Sequence, residues 1–314
     1  VSIAVTWDLA REFDALADAV GRNGRALRLV DNLEESRGCE TLVVGHEVPI
    51  DKAALDAAPW IREVVRWGAG VDNIDVADAR ERGVEVRNVP DYGVDDVADH
   101  ALMLLLASTR SVAGFDRALR ADPVAAWRPD DARGLPRLSG SEVGVIGLGR
   151  IGSAIARRLL GFGCGVTFYD PYLARGAERS WGLRRAVSLI DLLESVDHVL
   201  VAVPLTKETR GLLGERELAS IRPGATLVNV ARGAVIDSTA VARALRARRL
   251  RAFAADVLEC EPPDPNDELL TIHQGRADVP PGVVLLTPHI AGTSREARQA
   301  LREGVAEHLN QNHR

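Results

Sequence analysis

Residues Ser141–Gly152 read SEVGVIGLGRIG, and the fold follows from how this stretch is interpreted. Val143, Val145 and Ile146 form a short apolar run with the character of a buried strand. The run ends in Gly147-Leu148-Gly149-Arg150-Ile151-Gly152, a G-x-G-x-x-G, and Ser153–Leu160 continues with helical composition. In a dinucleotide-binding turn of this kind the first glycine makes the bend and the second admits a pyrophosphate close to the backbone. The third lets helix and strand pack closely. The helix N-terminus adds unpaired N–H groups and the positive end of a dipole. Glycines at this spacing also serve ordinary strand–helix connections, so the flanking sequence has to decide.

It favours the nucleotide reading. A second strand, Gly165–Tyr169, ends at Asp170, eighteen residues beyond Gly152. A carboxylate there accepts hydrogen bonds from an adenosine ribose and repels a 2′-phosphate, which favours NAD over NADP. Strands are expected again at His198–Val203, Thr226–Val230, Phe253–Val257 and Val283–Leu286. Helices are expected at Leu189–Ser195, Glu215–Ser220 and Thr239–Arg248. Ser188 and Asp191 have the spacing of a capping box. Glu259–Pro281 is proline-rich and reads as irregular.

The region before Ser141 repeats the alternation. Strands are expected at Ile3–Trp7, Ala26–Val30, Thr41–Gly45, Glu63–Trp67 and Val84–Asn88. Between them lie helical stretches at Leu9–Val20, Leu33–Arg37, Lys52–Ala58 and Val76–Arg82, with Gly83 as a C-terminal cap. Alternation of this kind gives an α/β fold with parallel sheets. Val94–Arg120 reads as one long helix that opens with Asp95 and Asp96, suited to the dipole, and carries the apolar run Ala101–Ala107. Ala121–Ser139 reads as a connecting loop, and Ser294–Asn310 as a final amphipathic helix with Ser294 as its cap.

At 314 residues there is enough chain for two cores. A hydrophobic fraction of 46% and a mean hydropathy of -0.03 are those of a water-soluble globular protein. The net charge of -6 gives no electrostatic reason to expect nucleic acid. The basic run Arg243–Arg251 reads as the solvated end of a helix. Ala101–Ala107 is too short to span a bilayer, and the amino terminus lacks the pattern of a signal peptide, so no membrane partner is expected. Cys39, Cys164 and Cys260 are scattered and odd in number, which suggests neither a disulfide framework nor a metal site and fits a reducing cytoplasm.

Three polar residues stand where strand patterns end, the place where open α/β sheets hold ligands. Arg232 lies in NVARG, Glu261 in ECEPP and His289 in TPHIAG. Taken singly, Arg232 reads as a surface arginine in a turn and Glu261 as a solvated loop acid. His289 reads equally as a structural or a proton-transferring histidine. His100 and His198 read as structural. Together the three supply an acid for a carbonyl oxygen and a planar cation for a carboxylate, while a nicotinamide would carry the hydride.

The chain resembles the D-isomer-specific 2-hydroxyacid dehydrogenase family. The resemblance rests on WGAGVDNID (67–75), NVP (88–90), Gly147–Gly152, VPLT (203–206), NVARGAVID (229–237), DVLECEP (256–262) and TPHIAG (287–292), which stand in the family's order. It implies two Rossmann/flavodoxin-like parallel-sheet domains, with a nucleotide-binding domain (108–289) inserted into a substrate domain (1–107 and 290–314). It also implies closure of the two around the substrate, and a homodimer formed through the nucleotide domain. Arg232, Glu261 and His289 become the catalytic trio. Arg232 would hold the substrate carboxylate and polarise the carbonyl, His289 would move the proton, and Glu261 would orient the imidazole. Ala69 and Gly70 would bind the substrate carboxylate alongside Arg232 and His289. NAD would lie against Gly147, Gly149, Arg150, Ile151, Gly152, Asp170, Pro204, Thr209, Ala231, Arg232, Asp256, His289 and Gly292, with Asp256 facing the nicotinamide amide.

The activity implied is interconversion of a 2-oxo acid and the (R)-2-hydroxy acid. The wording around PDYG (90–93) and VADH (97–100) leans towards the subgroup that resembles C-terminal-binding-protein corepressors. That leaves an NAD(H)-sensing binding protein as the alternative. Formate oxidation is disfavoured, because that branch has glutamine where Glu261 stands. Thr271–Pro281 looks like extra sequence and reads as a surface loop. His46 either touches the substrate or caps a strand.

Overall fold

The computed structural model describes residues 2–20 and 26–311, which divide into two compact units: those up to Gly93 together with those from Gly292 onward, and 94–291. The first holds β1 (Ser2–Thr6), α1 (Phe13–Val20), β2 (Leu27–Val30), β3 (Cys39–Val44), α2 (Lys52–Ala57), β4 (Glu63–Arg66), α3 (Val76–Glu81) and β5 (Glu85–Arg87). Its five strands are parallel, in the order β2-β1-β3-β4-β5. This is the flavodoxin-like order, with its switch point between β1 and β3. Ala4, Leu42, Val44 and Val64 face one layer of core, and Ile3, Val5, Val43 and Val65 face the other. Burial on both faces is why these strands read as continuous apolar runs.

The second unit begins with α4 (Val94–Thr109) and α5 (Val112–Ala121). There follow β6 (Glu142–Ile146), α6 (Arg150–Gly161), β7 (Gly165–Tyr169), α7 (Ala177–Trp181), β8 (Arg184–Arg185), α8 (Leu189–Ser195), β9 (His198–Val201) and α9 (Glu215–Ser220). It closes with β10 (Ala225–Asn229), α10 (Ser238–Arg246), β11 (Leu250–Ala255), α11 (Glu268–His273) and β12 (Val284–Leu286). Its seven parallel strands run β12-β11-β10-β9-β6-β7-β8, the Rossmann order with one strand added, and its switch point lies between β6 and β9. α12 (Arg295–Gln311) belongs to the first unit and is capped by Ser294, whose hydroxyl accepts from the Ala297 N–H at 2.8 Å.

Three expectations need correction. The 94–120 helix is two helices, broken at Ser111, which takes a left-handed φ of 51°. No glycine or proline marks the break. The unit boundary falls at 93/94 rather than 107/108, and at 291/292 rather than 289/290. The physical reason is that α4 buries Ala98, Ala101, Leu102, Leu104 and Leu105 in the same core as Val143, Val145 and Ile155. Glu259–Pro281 is not irregular throughout, because α11 occupies its middle. Asp267 caps that helix by accepting from the Leu270 N–H at 3.0 Å, and Leu269 and Ile272, three apart, are buried. The stretch 271–281 therefore starts as helix, and its Ala277 and Val279 pack on the core. The short α7 and β8 have no counterpart in the sequence pattern. Among the described residues, no helix is long and apolar enough to cross a membrane.

Candidate active site

The glycine turn has the geometry its residues require. Gly147 sits at φ +85°, and a Cβ there would meet the Ala202 carbonyl oxygen at 2.8 Å. A Cβ on Gly152 would lie 1.9 Å from the Gly147 oxygen, whereas one on Gly149 would meet nothing within 4 Å. The first and third glycines are thus fixed by packing, while the second leaves open space over the start of α6. Arg150 and Ile151 form the first turn of that helix. The residues present fit a bound dinucleotide pyrophosphate at this place.

Asp170 closes the adjacent side. Its carboxylate accepts from the Leu148 N–H at 3.0 Å and from the Tyr172 N–H at 3.0 Å, so it is held at the end of β7 beside the glycine turn. Across the switch point, Thr209 donates its hydroxyl proton to the Pro204 oxygen at 2.6 Å and accepts from the Thr206 N–H at 2.8 Å, which folds 204–209 into a fixed loop.

Within this unit His289 and Glu261 pair directly, and the charge of Arg232 acts on Glu261. His289 Nδ1 lies 2.5 Å from Glu261 Oε2, and both side chains are about a third to two-fifths exposed. A second bond, from the Leu258 N–H at 2.9 Å, fixes the other Glu261 oxygen. Burial raises the Glu261 carboxyl pKa, but the His289 hydrogen bond and charge, the Leu258 N–H and the Arg232 charge outweigh it and hold the group below the ordinary carboxylate range. As the carboxylate can only accept, Nδ1 carries a proton, and Nε2 is the ring atom through which a second proton can pass. Arg232 is set by the turn after β10. Asn229 donates to the Arg232 carbonyl at 3.0 Å and accepts from the N–H of Ala231, which is buried. Gly233 is packed so closely that a Cβ would fall 1.9 Å from the Leu258 carbonyl carbon, which locks the Arg232 turn to the segment leading to Glu261.

His289 has φ +54°, a left-handed conformation that costs a non-glycine residue about 1 kcal/mol or more. Asp256 holds it there. The Asp256 carbonyl accepts from the His289 N–H at 2.8 Å. The Asp256 carboxylate, 2% exposed, accepts from the Ile290 N–H at 2.9 Å, the Ala291 N–H at 2.7 Å and the Thr287 hydroxyl at 2.6 Å. Asp256 is thus tied to the histidine turn, a role its sequence position did not signal. Thr287 and His100, whose ring lies against that hydroxyl, were not singled out as site residues either. Ala69, Gly70 and Gly292 belong to the other unit. There the Ala69 carbonyl accepts from Asn88 Nδ2 at 2.6 Å, and Asn73 spans its loop by donating to the Gly45 and Val48 carbonyls at 3.0 and 2.8 Å.

With this geometry in hand, comparison with known proteins decides the family. The profile of the D-isomer specific 2-hydroxyacid dehydrogenase, NAD binding domain, matches residues 102–291. The chain belongs to the D-isomer-specific 2-hydroxyacid dehydrogenase family. It is 38% identical over 278 residues to a glyoxylate reductase of Korarchaeum cryptofilum, covering 88% of this chain and 80% of that protein. Its fold matches the crystal structure of an NADPH-dependent glyoxylate/hydroxypyruvate reductase of Sinorhizobium meliloti with a TM-score of 0.82 at 30% identity, covering 98% of this chain and 92% of the other. A D-lactate dehydrogenase of Aquifex aeolicus, at 24% identity, covers 99% of this chain and 95% of its own with a TM-score of 0.87 and supports the fold. The protein is an NAD-dependent D-2-hydroxyacid dehydrogenase. All three relatives are named as reductases or dehydrogenases, which leaves the corepressor reading without support.

Proposed function

We propose that the protein reduces a small 2-oxo acid to the (R)-2-hydroxy acid, with His289 as the proton donor, Glu261 as its orienting partner and Arg232 as the carboxylate and carbonyl clamp. NADH bound over Gly147, Gly149 and Gly152 supplies the hydride. Asp170 is assigned to its ribose, and Arg150, Ile151, Pro204, Thr209 and Ala231 to the walls of its site. The observation that carries the reading is the 2.5 Å pairing of His289 Nδ1 with Glu261 Oε2. That bond commits Nδ1 and presents Nε2 as an acid to a carbonyl oxygen. In the reverse direction the same atom takes the proton from the hydroxyl. The Arg232 guanidinium, whose Nη1 donates to the Ala231 carbonyl at 2.8 Å, is a planar fork of the kind that suits a carboxylate, which an ammonium is not. Backbone N–H groups at Ala69 and Gly70 are assigned to the same carboxylate by the family resemblance. The first unit is accordingly the substrate domain and the second the cofactor domain.

The likeness to glyoxylate reductase supports a short 2-oxo acid as substrate. A second copy is assigned to the apolar face of α4, α5 and α6, where Met103, Val112 and Phe162 are each at least two-fifths exposed. Three unpaired cysteines, two of them buried, suit a reducing cytoplasm.

The test is a panel of 2-oxo acids (glyoxylate, hydroxypyruvate, pyruvate and aryl or branched analogues) followed by NADH absorbance. His289→Ala is expected to lower kcat roughly 100-fold or more on whichever acid is turned over, while NADH affinity stays near wild type. Unchanged turnover in that variant would remove His289 from the reaction.

A further inference from the structure

We propose that His100 is a positioning residue for His289, acting through the Thr287 hydroxyl and the Asp256 carboxylate; this rests on the role given to His289 above. The three side chains form one chain of hydrogen bonds, from the middle of α4 to the turn that carries the imidazole. His100 Nε2 is 2.9 Å from Thr287 Oγ1, and Thr287 Oγ1 is 2.6 Å from Asp256 Oδ1. His100 Nε2 also lies 3.5 Å from that same carboxylate oxygen.

Donor and acceptor chemistry fixes the direction of the chain. An ionised carboxylate accepts only, so the Thr287 proton goes to Asp256. With its single proton committed, the Thr287 oxygen must accept, and His100 Nε2 therefore carries the proton facing it. The histidine is thus held in one tautomer or in its doubly protonated form, and its N–H keeps the Thr287 hydroxyl aimed at the carboxylate. The carboxylate in turn holds the Ile290 and Ala291 N–H groups at 2.9 and 2.7 Å. These are the two residues that follow His289, whose own N–H is held by the Asp256 carbonyl at 2.8 Å. The left-handed backbone at His289 has no glycine to favour it, so the conformation that aims the imidazole depends on these bonds. His100 has a side chain only 14% exposed, and it anchors the chain on a helix rather than on a loop.

The test uses His100→Gln, His100→Leu and Thr287→Val in the full-length protein. A glutamine amide N–H reaches the place of the imidazole Nε2–H, whereas leucine fills the space without a donor. With a 2-oxo acid and NADH, His100→Leu and Thr287→Val are expected to lose roughly 10- to 100-fold in kcat, the scale of a small misplacement of a reacting group. KM and NADH affinity should stay within about threefold, and His100→Gln should recover most of the kcat. If His100→Leu keeps wild-type kcat, or if His100→Gln falls as far as leucine does, the proposal is overturned. Amide hydrogen exchange at Ile290 and Ala291 reads the same chain without any turnover. Protection should persist in His100→Gln and drop in the other two, and equal protection in all three would also overturn it. Should the wild type turn over no 2-oxo acid, the assigned activity fails, and the exchange measurement still decides the positioning role.

Discussion

The two sheets place a crevice at equivalent points, and they fill it with opposite chemistry. In the first unit the switch point lies between β1 and β3, in the second between β6 and β9. In open α/β sheets a ligand enters outside the carboxyl ends of such strands. At the second unit's switch point stand Gly147, Gly149 and Gly152, and space for a Cβ on Gly149 is open. At the first unit's, Asp8 follows β1 and turns its carboxylate back over the strand ends. It accepts from the Thr6 hydroxyl at 2.5 Å and from the Glu47 N–H at 3.2 Å, and it lies so close to Gly45 that a Cβ there would fall 2.0 Å from the acid. One crevice offers N–H groups to an anion, and the other already holds an anion of its own. Topology supplies the place, and a few residues after the first strand decide whether a phosphate can use it.

A side chain at Gly152 would do the greatest damage to the second unit's crevice. A Gly152→Val side chain must enter space occupied by the Gly147 carbonyl, so the turn cannot close and α6 cannot seat against β6. NADH binding is expected to fall by roughly 100-fold or more, the scale of losing a preorganised anion site, and the second unit should unfold at a lower temperature. Fluorescence titration with NADH and calorimetry of the two units check this. Near-normal NADH affinity in Gly152→Val would separate the glycine turn from cofactor binding.

A second difference lies at the opposite ends of the strands. In each sheet a threonine is paired in register with an ionisable residue, Thr41 with Glu63 and Thr226 with His198. Glu63 accepts from the Thr41 hydroxyl at 3.0 Å and pairs with Arg87 at 3.2 Å. His198 is 2% exposed, and among the described residues its ring nitrogens have no hydrogen-bond partner. Burial lowers its pKa from 6.5 to about 4, Arg251 adds to the shift and Asp197 opposes it. A histidine depressed in this way stabilises the fold fully above the unfolded value. That contribution is lost as pH falls from about 6.5 towards 4, where only the unfolded chain takes the proton. The second unit is expected to lose about 3 kcal/mol over that range, and His198→Leu should flatten its pH dependence. Calorimetry at pH 7 and pH 5 is the measurement, and an unchanged slope in His198→Leu would assign the acid sensitivity elsewhere.

What could be read from the sequence divides along the same physical lines. Strands buried on both faces announce themselves by composition alone, and Gly165–Tyr169, Leu189–Ser195 and Glu215–Ser220 lie where the pattern puts them. β8 consists of Arg184 and Arg185, an edge held by Arg185 bonds to Glu178 and to the Asp170, Leu173 and Ala174 carbonyls rather than by apolar burial, so it leaves no apolar trace. The break at Ser111 is equally silent in composition. In the site, each of Arg232, Glu261 and His289 is ambiguous alone. The bond that resolves two of them spans 28 residues, and the one joining His100 to Thr287 spans 187. Spacing rules act over a few residues, so such pairs are visible only through a family resemblance or the folded chain.

The smallest expected effect is the most discriminating for the two crevices. Asp8→Ala removes the built-in carboxylate, leaving the Glu47 N–H without that acceptor and the Thr6 hydroxyl with only its longer bond to the Val43 carbonyl at 3.4 Å. Because Asp8 is half-buried and water can replace part of what is lost, the first unit should be destabilised by about 1 kcal/mol. NADH affinity should not move, because the cofactor's anion is assigned to the glycine turn and Asp8 contributes nothing there. The Gly152→Val and Asp8→Ala variants therefore form a crossed pair, each altering one unit's transition, and only the first altering NADH binding. A shift of more than about threefold in NADH affinity for Asp8→Ala, well above the near-zero effect expected of a substitution outside the binding site, would mean that the first unit's crevice also responds to the cofactor. The division of labour between the two sheets would then be wrong.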